Sequence, residues 1–129
     1  MQNFDVIISG AGPAGAACAL SLAGSGLRVA LLDKDCFPRD KICGDALSVD
    51  VINQLMKLSA PLAQEFSEMA SKVDVPGIRI ISPGGKVVDL PFLYKGNPRS
   101  GYVSRRHDFD NLLVNHVRKI PEVTLLEGH

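Results

Sequence analysis

An α/β fold built on a parallel sheet is predicted by three features of this 129-residue sequence. A β-branched run, DVIIS (5–9), leads through a glycine turn and a small-residue helical segment into a second apolar run, RVALLD (28–33). A later helical pattern, from about Arg105 to Lys119, stops at Pro121 and gives way to VTLLEG (123–128). Strands that alternate with helices in this way pair in parallel.

The first unit needs the closest reading, because Val6 to Leu27 carries no charge and is long enough to cross a bilayer. Glycines, serines and a proline interrupt it, and its start, MQNFD, lacks the positive charge of a secretion signal. The glycines fall at fixed spacing. Gly10, Gly12 and Gly15 form G-x-G-x-x-G straight after a strand and at the opening of a helix. Gly10 permits the tight turn, Gly12 lets the backbone approach a pyrophosphate, and Gly15 lets the helix pack on the strand. Pro13 suits the first helical turn, and with Ala14 it belongs to the stretch whose free N–H groups face a diphosphate. Asp33 ends the second strand, where a carboxylate can accept the ribose hydroxyls and would repel a 2′-phosphate, which disfavours NADP. The stretch is therefore expected to hold an adenine dinucleotide. Its lack of charge is explained if both strands and one helix face are buried.

Composition narrows the rest. Fourteen basic and fourteen acidic side chains cancel, so no electrostatic footprint for nucleic acid or an anionic membrane is present. Cys18, Cys36 and Cys43 are odd in number and form no C-x-x-C pair, which points to a reducing, cytoplasmic setting. For Cys18 and Cys36 only packing or surface roles are visible. The three histidines do not cluster with cysteine or carboxylate, so no metal is expected.

Between the first unit and the last helix lies a segment, 36–100, too long for a plain loop. Leu47, Val51, Leu55 and Leu58 recur at helical spacing, as do Leu62, Phe66, Met69 and Val73 with Pro61 at their start, predicting two helices. IRIIS, the turn PGG (83–85) and KVVDL predict a β-hairpin, and GNPRSG a loop into a short YVS strand. The last helix is expected to bury Phe109, Leu112, Leu113, Val117 and Ile120. Asp108 and Asp110 near its start and Arg118 and Lys119 near its end suit the helix dipole. Arg105 and Arg106 oppose it. They form either a solvated surface pair or a contact to a ligand oxygen. The layout is a three-strand parallel core: a βαβ unit (1–35), an insertion of two helices and a hairpin (36–100), and a strand–helix–strand return (101–129).

Three stretches together resemble the flavoprotein superfamily of aromatic-ring hydroxylases and geranylgeranyl reductases. They are GAGPAG, then DKDCFPRDKICGDALS (33–48), then YVSRRHDFDNLL (102–113). The second matches the family pattern through Asp33, Lys34, Phe37, Pro38, Arg39, Lys41, Cys43 and Gly44; the third matches through Arg106, Phe109, Asp110 and Leu113. The cysteine–glycine version looks most like geranylgeranyl reductases and halogenase-like relatives. The resemblance implies a Rossmann-like FAD/NAD(P)-binding domain with FAD as cofactor. It makes Arg106 a cofactor contact, and it adds Lys34, Arg39, Cys43 and Gly44 to the cofactor side through their motif. It places Cys43–Gly44 beside the flavin ring; read from the residues alone, Cys43 is a small buried side chain near a glycine turn. It also implies an oxidoreductase with a small-molecule substrate and NAD(P)H or another electron donor. The substrate is an isoprenoid in a reductase or an aromatic ring in a monooxygenase. Membrane-surface contact would arise only through a lipid substrate.

The departures define the remaining expectations. Family members run roughly three times this length, and their later Asp-Gly and Gly-Asp stretches and their substrate sheet have no counterpart here. The chain is expected to be the N-terminal part of the FAD-binding domain, truncated before its second half and inactive by itself. The alternative is a non-catalytic FAD-binding module. No catalytic acid or base is assigned.

Overall fold

A computed structural model of the chain describes residues 3–43 and 45–129. The opening run folds as β1 (Val6–Ser9), α1 (Pro13–Ser21) and β2 (Val29–Asp33), with Val6 opposite Val29 in a parallel pair. The uncharged stretch is thus a βαβ unit, and among the described residues no helix is long and apolar enough to cross a membrane. The small residues of α1 decide how close it can lie. Ala16 and Ala19 are fully buried, so the helix backbone itself approaches the sheet and the last helix.

The segment after β2 is richer than two helices and a hairpin. It contains β3 (Ala46–Leu47), α2 (Val51–Leu58), α3 (Ala60–Glu68), β4 (Val73–Val75), β5 (Gly77–Ile81), β6 (Val87–Pro91), β7 (Leu93–Tyr94) and β8 (Asn97–Pro98). β9 (Gly101–Val103), α4 (Arg106–Val117) and β10 (Val123–Glu127) complete the chain. β10 pairs in parallel with β2, Val123 opposite Val29, giving the order β1-β2-β10. The predicted three-strand parallel core is present, with the strand last in sequence added beyond β2.

Both helices of the insertion are shorter than their apolar periodicity suggests. Leu47 sits in β3 and Val73 in β4, each paired antiparallel with β9, so a strand partner distant in sequence overrides helical spacing at both ends. α3 begins where Ser59 caps it, its side chain accepting the Leu62 N–H, and Pro61 lies in its first turn. GNPRSG, expected as a loop, contributes Asn97 and Pro98 to the short β7–β8 pair.

The core joins α1, α2, α3 and α4 around the sheet. Phe66 stands edge-on to Tyr102 and Phe109, with ring centroids 5.4 and 5.6 Å away. Phe109, Leu112, Leu113 and Val117 are buried from α4 as expected, and Ile120 packs against the same cluster. Burial of both strands of the βαβ unit holds for β2 and fails for β1. Among the described residues β1 pairs only with β2, and Ile7 is 71% exposed.

Candidate cofactor-binding site

At the carboxyl ends of β1 and β2 lies an open cleft of about 930 Å³, where an open α/β sheet places its ligands. Gly10 leaves β1 at φ +95°, a conformation that suits glycine and few other residues. A Cβ on Gly15 would stand 1.8 Å from the Gly10 carbonyl oxygen, so α1 can meet the turn only without a side chain there. Gly12 differs. A Cβ there would meet no backbone, only Arg106 Nη2 and Arg39 Nη2, each at 3.6 Å. Space above Gly12 is therefore bounded by two guanidinium groups.

Gly12 is also the N-cap of α1, and among the described residues no side chain caps the helix. The first-turn N–H groups of Ala14 and Gly15 lack an intrahelical partner by construction, and both residues line the cleft. A helix N-terminus offering N–H donors beneath two arginines has the chemistry to accept a phosphate group. FAD carries a diphosphate that suits this donor set, and a cleft open to solvent leaves room for the groups on either side.

Each arginine is held in place. Arg106 donates from Nε to Asp110 Oδ1 at 2.7 Å and from Nη2 to Oδ2 at 2.8 Å, while Arg39 Nη1 donates to the same Oδ2 at 3.0 Å. Asp110 is fully buried. The hydrogen bond to Asp110 raises the Arg106 pKa above its ordinary value against the effect of burial, with Cys43 adding to it, so Arg106 stays charged. Arg39 lies over the Phe37 ring, 4.7 Å from its centroid, with Asp35 at 3.6 Å and Asp33 at 3.9 Å. Glu127 at the end of β10 accepts the Phe37 N–H at 2.7 Å and so ties the loop bearing Arg39 to the sheet. By contrast, Arg105 pairs with Asp108 on the surface, as a solvated charge would.

Asp33 is buried, and both its oxygens are already in use. Oδ2 accepts the Ala11 N–H at 2.7 Å and Oδ1 the Asp35 N–H at 3.0 Å. The sequence predicts a carboxylate waiting for a ribose; the structure shows one that also clamps the glycine turn. A short aspartate reaches the turn backbone more readily than a longer side chain reaching outward, and no sequence pattern signals that. Lys34 is exposed at the cleft rim. Cys43 is exposed rather than buried, and its sulfur contacts Arg106. Gly44 lies outside the described residues. Asp110, absent from the sequence-predicted site, is the residue that joins both arginines. Its signal was the matched R-x-x-F-D spacing, which puts Arg106 and Asp110 one helical turn apart.

Residues 5–37 match the family described as FAD binding domain. The chain is 35% identical over 124 residues to the menaquinone reductase of Mycobacterium tuberculosis, covering 95% of this chain and 28% of that protein. It is 31% identical over 114 residues to the geranylgeranyl diphosphate reductase of Rhodobacter capsulatus, covering 87% of this chain and 25% of that one. A solved flavin-dependent brominase superposes with a TM-score of 0.74 at 30% identity, over 96% of this chain and 29% of its own. The chain thus spans less than a third of the length of each. The fold and the cleft define a Rossmann-like dinucleotide-binding unit. The chain is similar to FAD-dependent flavoproteins over nearly all of its length, and FAD is the cofactor that the match of residues 5–37 supports.

Proposed function

We propose that the cleft binds the adenosine diphosphate part of FAD, and that this chain is the dinucleotide-binding part of a reductase acting on a carbon–carbon double bond of an isoprenoid. One observation carries the binding half: Arg39 and Arg106 converge over Gly12 at the uncapped start of α1. In this reading the N–H groups of Ala14 and Gly15 and the two guanidinium groups hold the diphosphate. Lys34 adds positive charge at the rim. Asp33 keeps the turn closed through Ala11 and retains lone pairs for the ribose. Cys43, in contact with Arg106, borders the flavin ring in this reading.

FAD, once reduced by NAD(P)H or another donor, supplies the hydride. The residues of this chain bind and orient, and none of them is assigned a proton transfer. The isoprenoid substrate is supported by two relatives whose names specify menaquinone and geranylgeranyl diphosphate, both of which carry an isoprenoid chain. A second reading, an oxygen- and halide-using enzyme, is supported by the likeness to the brominase. The test is anaerobic mixing of the dithionite-reduced, FAD-loaded protein carrying this chain with geranylgeranyl diphosphate or a menaquinone. Substrate-dependent reoxidation, with a product two mass units heavier per reduced bond, is expected (about 2 Da, one hydride and one proton). Reoxidation that requires oxygen and halide instead would establish the second reading.

A further inference from the structure

We propose that Asp110 is the positioning residue of the diphosphate site, a buried carboxylate that fixes Arg39 and Arg106 over Gly12 before any ligand arrives. The proposal rests on the cofactor reading above and deepens it. An arginine side chain that is ordered only on binding gives up rotamer freedom at that moment, which weakens the complex. Here that freedom is already lost. Asp110 is fully buried, and it takes both donors of one Arg106 face and one donor of Arg39. The Nη2 of each guanidinium borders the space over Gly12, each 3.6 Å from where a Cβ on Gly12 would stand, and that of Arg106 has a second N–H besides the one donated to Asp110.

Charge supports the same role. Two guanidinium groups placed side by side repel, and the one carboxylate they share, lying between them, offsets that repulsion. Asp110 sits on α4 and Arg39 on the loop after β2. The carboxylate therefore also sets the distance between two elements that approach the turn from different parts of the chain. A surface aspartate would do none of this, since its partner could swing into water.

Two measurements test it on the 129-residue chain. The first uses the wild type alone. Arginine side-chain NMR should show the Nε groups of Arg39 and Arg106 rigid without ligand and unchanged in order on adding ADP; arginines mobile without ligand and ordered only by ADP overturn the proposal. The second compares ADP with adenosine. Asp110→Glu keeps the charge but moves it outward by one methylene, so ADP affinity should fall about tenfold or more while adenosine stays within about twofold. A folded variant with the wild-type ratio of the two ligands overturns the positioning role alone. Loss of both ligands together in a folded variant would mark Asp110 as merely structural and also overturn it. A wild type that binds no ADP at all would remove the cofactor reading and the proposal with it.

Discussion

Two arginine–aspartate clusters in this chain share nearly the same geometry and have opposite surroundings. Across β5 and β6, Arg79 Nε donates to Asp89 Oδ1 at 2.7 Å, with side chains 65% and 59% exposed. At the cleft, Arg106 Nε donates to Asp110 Oδ1 at the same 2.7 Å, with side chains 14% and 0% exposed. The neighbours are reversed as well. Around the exposed pair, Ile78, Ile80, Val88 and Leu90 of the hairpin are each about half exposed, whereas the buried pair is sealed beside a packed core. The comparison teaches that bond length says little about what an ion pair does. Water screens the hairpin pair and can replace either partner, while removing one partner at Asp110 strands the others in a medium that cannot solvate them.

Removing each carboxylate is the sharpest way to break this comparison. Asp110→Ala should cost about 3–5 kcal/mol in urea unfolding, because two partly buried cations lose their common partner. Asp89→Ala should leave the unfolding midpoint unchanged. Similar losses from both would show that burial is not what separates them. Next in size is Gly15→Ala. Its Cβ would overlap the Gly10 carbonyl, so the turn or the helix must move, at about 1–3 kcal/mol, with loss of ADP binding. Gly12→Ala meets no backbone and should keep wild-type stability in the same experiment.

The hairpin offers the reverse test. Ile80 and Val88 face each other across β5 and β6, and replacing both with threonine keeps β-branching while removing exposed hydrocarbon. The exposed apolar face is expected to favour association between chains, so sedimentation should show less of it in the double variant, and denaturant titration an unaltered core. The smallest effect is on acid stability. Hydrogen bonds from Arg28, Gln54, Arg79 and His107 hold Asp5, Asp50, Asp89 and Asp108, in that order, below the ordinary carboxylate pKa. Their contribution is fully present above about pH 4 and is lost as pH falls through the lowered values. All four are at the surface, so the slope should be shallow and should flatten further in added salt.

What the sequence made legible followed from local pattern. G-x-G-x-x-G, the acid at the end of β2 and the apolar stripe of α4 each declare their structure within a few turns of chain. The ends of α2 and α3 did not. Leu47 and Val73 fit a helical stripe as well as they fit a strand, and only β9, brought near by folding, decides the matter. The site divides in the same way. Arg106 could be suspected because its charge opposes the dipole of α4. The second use of Asp33, on the Ala11 N–H, and the meeting of Arg39 with Asp110 depend on distances between elements that no spacing encodes.

The strand order carries a consequence for how the cleft is made. Val29 is the shared partner of Val6 and of Val123, so the central strand is joined on one side by a nearby segment and on the other by a remote one. The remote pairing closes a loop roughly four times longer, which adds about 1 kcal/mol of closure entropy and slows its formation. The glycine turn is therefore expected to take shape first, with β1, α1 and β2. Arg106 and Asp110 ride on the helix just before β10, and Arg39 is pinned by Glu127 at the far end of β10 through Phe37. Both cations consequently reach the turn together, at the step that docks the last strand. During synthesis the chain would carry a finished anion cradle with no charge over it until β10 had been made.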